Sequence, residues 1–215
     1  MLITCWSVKG GVGTTTVAAV LALAAARRSE AALLVDLDGD LPGALGIPDP
    51  VGPGVAGWSR AGASVPPDAL GRLAVTVGPG LQLLPRGDGE LEPARAGVLG
   101  ALLAMDSRTV VVDAGLVGRS EAGRELAAVA HRSLLVTRAC QLALARSRRS
   151  PVAPSGVVVV REPGRGLTAA DVEAVVGSPV LVELAVDPAV ARVIDAGLLA
   201  GRLPRRFASA MATLT

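Results

Sequence analysis

The 215-residue sequence predicts an α/β protein: a mostly parallel, doubly wound sheet with helices on both faces. Three observations predict it. The Val- and Leu-rich runs are continuous rather than alternating, as in strands buried on both sides. They alternate with segments of helical length, as βαβ units require. The first run also passes through a glycine-rich turn straight into a helix, SVKGGVGTTTVAAV (7–20).

Each element has its own justification. LITCWSV (2–8) is β-rich, and 15–28 follows the glycine turn as an Ala-rich helix. AALLVDLD (31–38) is a second apolar strand that ends in carboxylates. Gly and Pro break the periodicity from 39 to 80, leaving short helix candidates near Trp58 and at 67–73. LQLLP (81–85) is a short strand. Helix 92–105 has Pro93 in its first turn, where a missing N–H costs nothing. RTVVVDAG (108–115) is a buried strand containing Asp113, and Ser120 caps helix 120–130. The pattern then repeats: strand 133–137, helix 140–149, strand 156–161, helix 168–176, strand 179–184, and closing helices 188–200 and 204–214. No linker divides 1–215, so one domain is expected, with 39–97 as its variable portion.

Composition excludes several function classes. Apolar residues are 51% and charged residues 19%, which suits a packed core and not a disordered chain. Trp6, Trp58 and Phe207 are the only aromatics, too few for base-stacking platforms on single-stranded nucleic acid. A net charge of +2 names no polyanionic partner. Cys5 and Cys140 have neither metal-site nor disulfide spacing, and Cys5 reads as a small core residue. His131 reads as structural. With neither a signal peptide nor an apolar run long enough to span a bilayer, a cytoplasmic protein is expected. The basic residues comprise twenty Arg and one Lys, and that lysine is Lys9, inside the glycine turn. A compact ammonium suits a tight loop around phosphates better than a planar guanidinium does.

In parallel α/β sheets ligands bind beyond the carboxyl ends of the strands. There the loop Lys9–Thr16 converges with Asp36, Asp38 and Asp113. Gly10, Gly11 and Gly13, with Val12 between them, let the backbone turn and aim N–H groups inward. The helix that follows adds its positive end. Thr15 stands where a hydroxyl would coordinate Mg²⁺, and Thr16 follows it. The common pattern G-x-x-x-x-G-K-[ST] fails at Val8 and at Thr14. A glycine turn without a ligand is the alternative, disfavoured by its place between strand and helix.

KGGVGTTT resembles the deviant Walker A motif, K-G-G-x-G-K-[ST]-[ST], of the ParA/MinD ATPases. LLVDLDGDLPGALGI (33–47) is similar to that family's strand ending in D-x-D, and VVVDAG (110–115) to its Walker B segment. Residues 179–204 resemble its C-terminal strand, base loop and helix. A hydroxyl residue in place of the Walker lysine looks most like the CpaE/TadZ branch, which helps localise Tad-type pilus and secretion machinery and includes septum-site determining relatives. The resemblance implies a P-loop NTPase fold that binds ATP or ADP with Mg²⁺. Lys9 would be the signature lysine, reaching the phosphates of a partner in a nucleotide-sandwich homodimer. Thr15, Asp36 and Asp113 would lie at the metal, and Asp38 would position the attacking water. Gly10 to Thr16 would cradle the phosphates. Arg161, Val186 and Asp187 would lie at the base, with Arg161 where the family often has Asn.

Thr14 is the departure with most consequence. The Walker lysine offsets charge in phosphoryl transfer, so its loss weakens hydrolysis more than binding. The expected protein is therefore a dimerising, nucleotide-sensing scaffold with weak or no hydrolysis. It would position pilus, secretion or division machinery, and its partners would bring it to a pole, the septum or the inner membrane face. One alternative is an active ATPase switch in chromosome or plasmid partitioning or septum placement. Another is an interaction module that binds no nucleotide. RSRR (146–149) and RLPRR (202–206) read first as solvated faces, with DNA or membrane contact as the rival. Phe207, Met211 and Leu214 form a stripe expected to dock on the domain.

Overall fold

The computed structural model describes residues 1–29, 31–62 and 65–214. In chain order the elements are β1 (Leu2–Ser7), α1 (Thr14–Ser29), β2 (Ala32–Asp36), α2 (Leu41–Leu45), α3 (Gly54–Arg60), β3 (Val75–Gly78), β4 (Leu81–Leu84), α4 (Ala96–Met105), β5 (Thr109–Leu116), α5 (Glu121–Val129), β6 (Arg132–Arg138), α6 (Gln141–Ser147), β7 (Gly156–Arg161), α7 (Ala169–Val176), β8 (Val180–Ala185), α8 (Pro188–Asp195) and α9 (Arg205–Met211).

One eight-stranded sheet runs β3-β4-β2-β5-β1-β6-β7-β8. Every neighbouring pair is parallel except β3 and β4. β1 and β2 are buried throughout, as their unbroken apolar runs require. Alternate residues feed two cores. Ile3, Cys5, Leu34, Val111, Leu134, Val136 and Val158 face α1, together with Met211 and Leu214. Leu2, Trp6, Leu33, Val35, Val110, Leu135 and Val157 face the other way, against residues of α3 to α7. The expected docking of the last-helix stripe is therefore what the structure shows, with Phe207 packed beside Met211. Trp6, buried in the middle of the sheet, donates its Nε1–H to Ser133 Oγ at 2.9 Å. His131 is structural, its Nδ1 accepting the Leu2 N–H at 3.1 Å.

Local sequence sets several boundaries. Ser120 Oγ accepts the Gly123 N–H at the start of α5. Thr168 and Asp171 form a reciprocal capping box on α7. Glu92 and Pro93 start a 3₁₀ turn that runs into α4. Several expectations change. Residues 67–73 form two short 3₁₀ turns instead of a helix. β3 was not expected, and neither was α2, with Pro42 in its first turn. β3 has only four residues in a Gly- and Pro-rich stretch, too few for a periodic signal, and folds back on β4 around Pro79–Gly80. The helix expected over 188–200 ends at Asp195, and Gly197 follows with φ 64°. β8 departs in another way: it is an edge strand, half exposed in alternation. Among the described residues no helix is long and apolar enough to cross a membrane.

Candidate functional site at the carboxyl edge of the sheet

β1 is the switch point of the sheet. The chain leaves it for β2 on one side and later returns through β6 on the other. The crevice above such a strand is where a ligand fits. The turn Val8–Gly13 occupies it, and α1 starts at Thr14. Gly11 and Gly13 have φ of 71° and 98°, values that side chains disfavour. Thr14, the first residue of α1, is buried at 7% exposure. Lys9 Nζ reaches its own loop, 3.4 Å from the Gly10 carbonyl oxygen.

The structure brings the three predicted carboxylates together, each with a different environment. Asp36 and Asp113 are opposite each other in the β2–β5 register, and both are fully buried. Asp36 is taken up by backbone: Oδ1 accepts the N–H of Asp38 at 3.1 Å and of Gly39 at 2.7 Å, and Oδ2 accepts that of Leu41 at 3.1 Å. It shapes the loop that carries Asp38. Burial raises its pKa against the pull of those three N–H groups.

Asp113 Oδ1 accepts the Gly115 N–H at 3.1 Å. Its Oδ2 is buried with no hydrogen-bond partner, although the Thr15 hydroxyl lies beside the carboxylate. Burial pushes Asp113 up to about 7; the Thr15 hydroxyl opposes this and the charge of Asp36 adds to it. A buried carboxylate oxygen without a partner, next to a hydroxyl at the mouth of a phosphate loop, is a fitting ligand pair for a hard divalent cation. Among the described residues no three His, Cys, Asp or Glu side chains form a ready-made cage. Mg²⁺ takes one or two protein oxygens and completes its shell with phosphate and water.

Asp38 lies over Gly115. A Cβ there would fall 2.3 Å from Asp38 Cγ and push that carboxylate aside, and Gly115 has φ 55°, a value that side chains disfavour. Burial and the charge of Asp40 raise the Asp38 pKa, against the opposing guanidinium charges of Arg119 and Arg86. A cleft of about 650 Å³ opens beside Asp38, lined also by Arg86, Glu90, Arg119 and Glu121.

The residues predicted at the base end lie across the sheet. The Val186 N–H donates to the Arg161 carbonyl at 2.9 Å, which ties that loop to the end of β7. The Arg161 guanidinium is paired with Glu183 at 2.8 Å. Asp187 caps α8 through the Ala189 N–H at 2.8 Å. Val186 and Asp187 line a second cleft of about 390 Å³ together with Arg206 and Phe207. The strand ends singled out from the sequence were the three carboxylates and Arg161. Arg138, the last residue of β6, Glu162, the first after β7, and the arginines around Asp38 were not among them. The general rule that strand ends line the ligand edge was the available signal for the first two.

Solved structures share this architecture over nearly the whole chain. The cell division ATPase MinD of Pyrococcus furiosus is 22% identical, with 100% of this chain and 99% of that chain covered and a TM-score of 0.78. The septum site-determining protein MinD of Pyrococcus horikoshii, complexed with Mg-ADP, is 21% identical, with 99% and 93% covered and a TM-score of 0.78. A ParA family ATPase of Chlorobium tepidum is 19% identical, with 99% and 97% covered and a TM-score of 0.76. The chain thus has the fold of the ParA/MinD-type P-loop NTPases. Residues 1–113 match the family described as cellulose biosynthesis protein BcsQ, and the chain belongs to that family. No curated protein matches the chain.

Proposed function

We propose that this is a nucleotide-binding protein that dimerises around Mg–ATP or Mg–ADP, hydrolyses it weakly or not at all, and serves to position envelope or division machinery. The observation that carries the reading is the unpartnered, buried Asp113 Oδ2 beside Thr15 at the mouth of the glycine loop. Thr15 and Asp113 would hold the metal, and Asp36 would hold the Asp38 loop in place through its three N–H bonds. Bound Mg²⁺ would neutralise phosphate charge. The N–H groups of Gly10 to Thr16 would cradle the phosphates, Lys9 would reach those of the partner subunit, and Asp38 would orient water. Arg161, Val186 and Asp187 would border the base. Thr14 offers a hydroxyl where phosphoryl transfer benefits from a cation, which favours sensing over turnover.

The machine is read more coarsely. The resemblance of the loop favours pilus, secretion or septum apparatus, and the family description adds cellulose biosynthesis as an envelope process of the same kind. A second reading, an ATPase switch acting on DNA or an anionic membrane, draws on the exposed arginines Arg146, Arg148, Arg149, Arg205 and Arg206.

Titration calorimetry with Mg–ATP and Mg–ADP, run beside sedimentation, tests the main reading. Binding that promotes dimers and drops in Lys9→Ala is the expected result. A protein that binds neither nucleotide overturns it. Rapid phosphate release on DNA or anionic vesicles favours the second reading.

A further inference from the structure

A second charged group lies on the other side of the phosphate loop from the carboxylates. β6 stands between β1 and β7 and ends in Arg138. Leu134 and Val136 of the same strand pack into the core around α1, so alternation places the Arg138 side chain on the α1 side as well. The register pairs Arg138 with Val160 of β7. A Cβ on Gly13 would lie 4.0 Å from Val160 Cγ2. Gly13, at the end of the phosphate loop, therefore lies beside the β7 residue that pairs with Arg138.

The guanidinium of Arg138 is held there by Glu162, whose Oε1 accepts from its Nη1. Glu162 Oε2 accepts from Arg165 Nε at 2.8 Å. Lys9 is close enough for its charge to act on the same carboxylate. Three cations thus surround one anion, and the cluster keeps an excess of positive charge beside the loop. Arg138 Nε is buried and has no acceptor. A guanidinium has five N–H donors, so it can hold a carboxylate and still present others to a second anion.

We propose that Arg138 supplies the phosphate-contacting cation that Thr14 cannot, with Glu162 as its counter-ion until nucleotide phosphates fill the loop. The assignment rests on the nucleotide-binding reading above. Phosphates carry more charge than one carboxylate and match the guanidinium fork, so they compete well for Arg138. Glu162 keeps Arg165 as a partner when Arg138 turns away, which lowers the cost of the exchange.

The test is calorimetry with Mg–ATP, Mg–ADP and adenosine on wild type, Lys9→Ala, Arg138→Ala, Glu162→Gln, Thr14→Lys and the double variant Arg138→Ala/Thr14→Lys. Arg138→Ala is expected to weaken Mg–ATP binding at least tenfold and to leave adenosine unaffected. Glu162→Gln is expected to tighten Mg–ATP binding severalfold, a gain that a damaged fold does not produce. Thr14→Lys is expected to rescue the double variant. If Arg138→Ala binds as wild type does while Lys9→Ala binds worse, the Arg138 assignment falls and the nucleotide reading stands. Loss in Arg138→Ala with neither gain in Glu162→Gln nor rescue by Thr14→Lys also overturns it, as does wild type that fails to bind where Thr14→Lys binds. If no variant binds, Thr14→Lys included, the nucleotide reading and this assignment fall together.

Discussion

The two flanks of the phosphate loop are built on opposite terms. On the β2–β5 side the charges are acidic and buried, and backbone N–H groups hold them: Asp36 and Asp113 are inaccessible to solvent, and Asp36 alone accepts three N–H bonds. On the β6–β7 side the charges are mostly basic, part-exposed and held by one another, with Arg138 and Arg165 sharing Glu162. The first flank organises backbone and cannot lose a member cheaply. The second holds long side chains in water-facing pairs, which contribute little to stability and remain free to change partner.

Stability measurements test that contrast directly. The largest effect is expected for Asp36→Ala, which orphans three N–H groups at a fully buried position and costs about 3 kcal/mol in urea unfolding. Arg165→Ala on the other flank is expected to cost far less, because solvent screens its exposed pair with Glu162. Equal losses would erase the distinction.

Next comes pH. Folded Asp113 keeps its proton up to about 7, whereas the unfolded carboxyl loses it near 3.8. Its contribution to the stability of the metal-free protein is therefore complete below 3.8 and is lost as pH rises to about 7. The slope is at most roughly 1.4 kcal/mol per pH unit. Asp113→Asn should flatten unfolding curves across that window, with a residue of the same sign left by Asp36 and Asp38, whose pKa values are also raised. Glu162 is lowered, first by Arg165, so its small contribution has the opposite sign and fades as pH falls.

Gly115→Ala is expected to cost about 1–2 kcal/mol from left-handed backbone. Its Cβ would also displace Asp38, so any phosphate release by wild type should fall at least tenfold while Mg–ADP affinity persists. A Gly115→Ala protein with unchanged phosphate release would remove Asp38 from the reaction. The smallest effect is expected for Arg161→Ala, which breaks a part-exposed pair with Glu183 and shifts unfolding by less than about 1 kcal/mol. An altered preference between ATP and GTP in that variant would place Arg161 at the base.

The same contrast explains what could be read in advance. The acidic flank was legible because its residues sit inside contiguous motifs, a glycine loop and two apolar strands carrying Asp. The basic flank was not, because Arg138 and Glu162 are 24 residues apart and meet only when β6 and β7 pair in register. β3 escaped because four residues among Gly and Pro carry no period, and its identity comes from pairing with β4.

The α/β class, the buried strands and the glycine loop at the head of α1 follow from the order of residues alone, because burial on both faces requires continuous apolar runs and a tight turn requires glycine. Strand order and register, visible only in the folded chain, fix which strand ends meet, that Asp36 bonds to backbone while Asp113 Oδ2 stays without a partner, and that Arg138 meets Glu162. Those outcomes depend on strand order and register, which bring together side chains from distant positions in the chain.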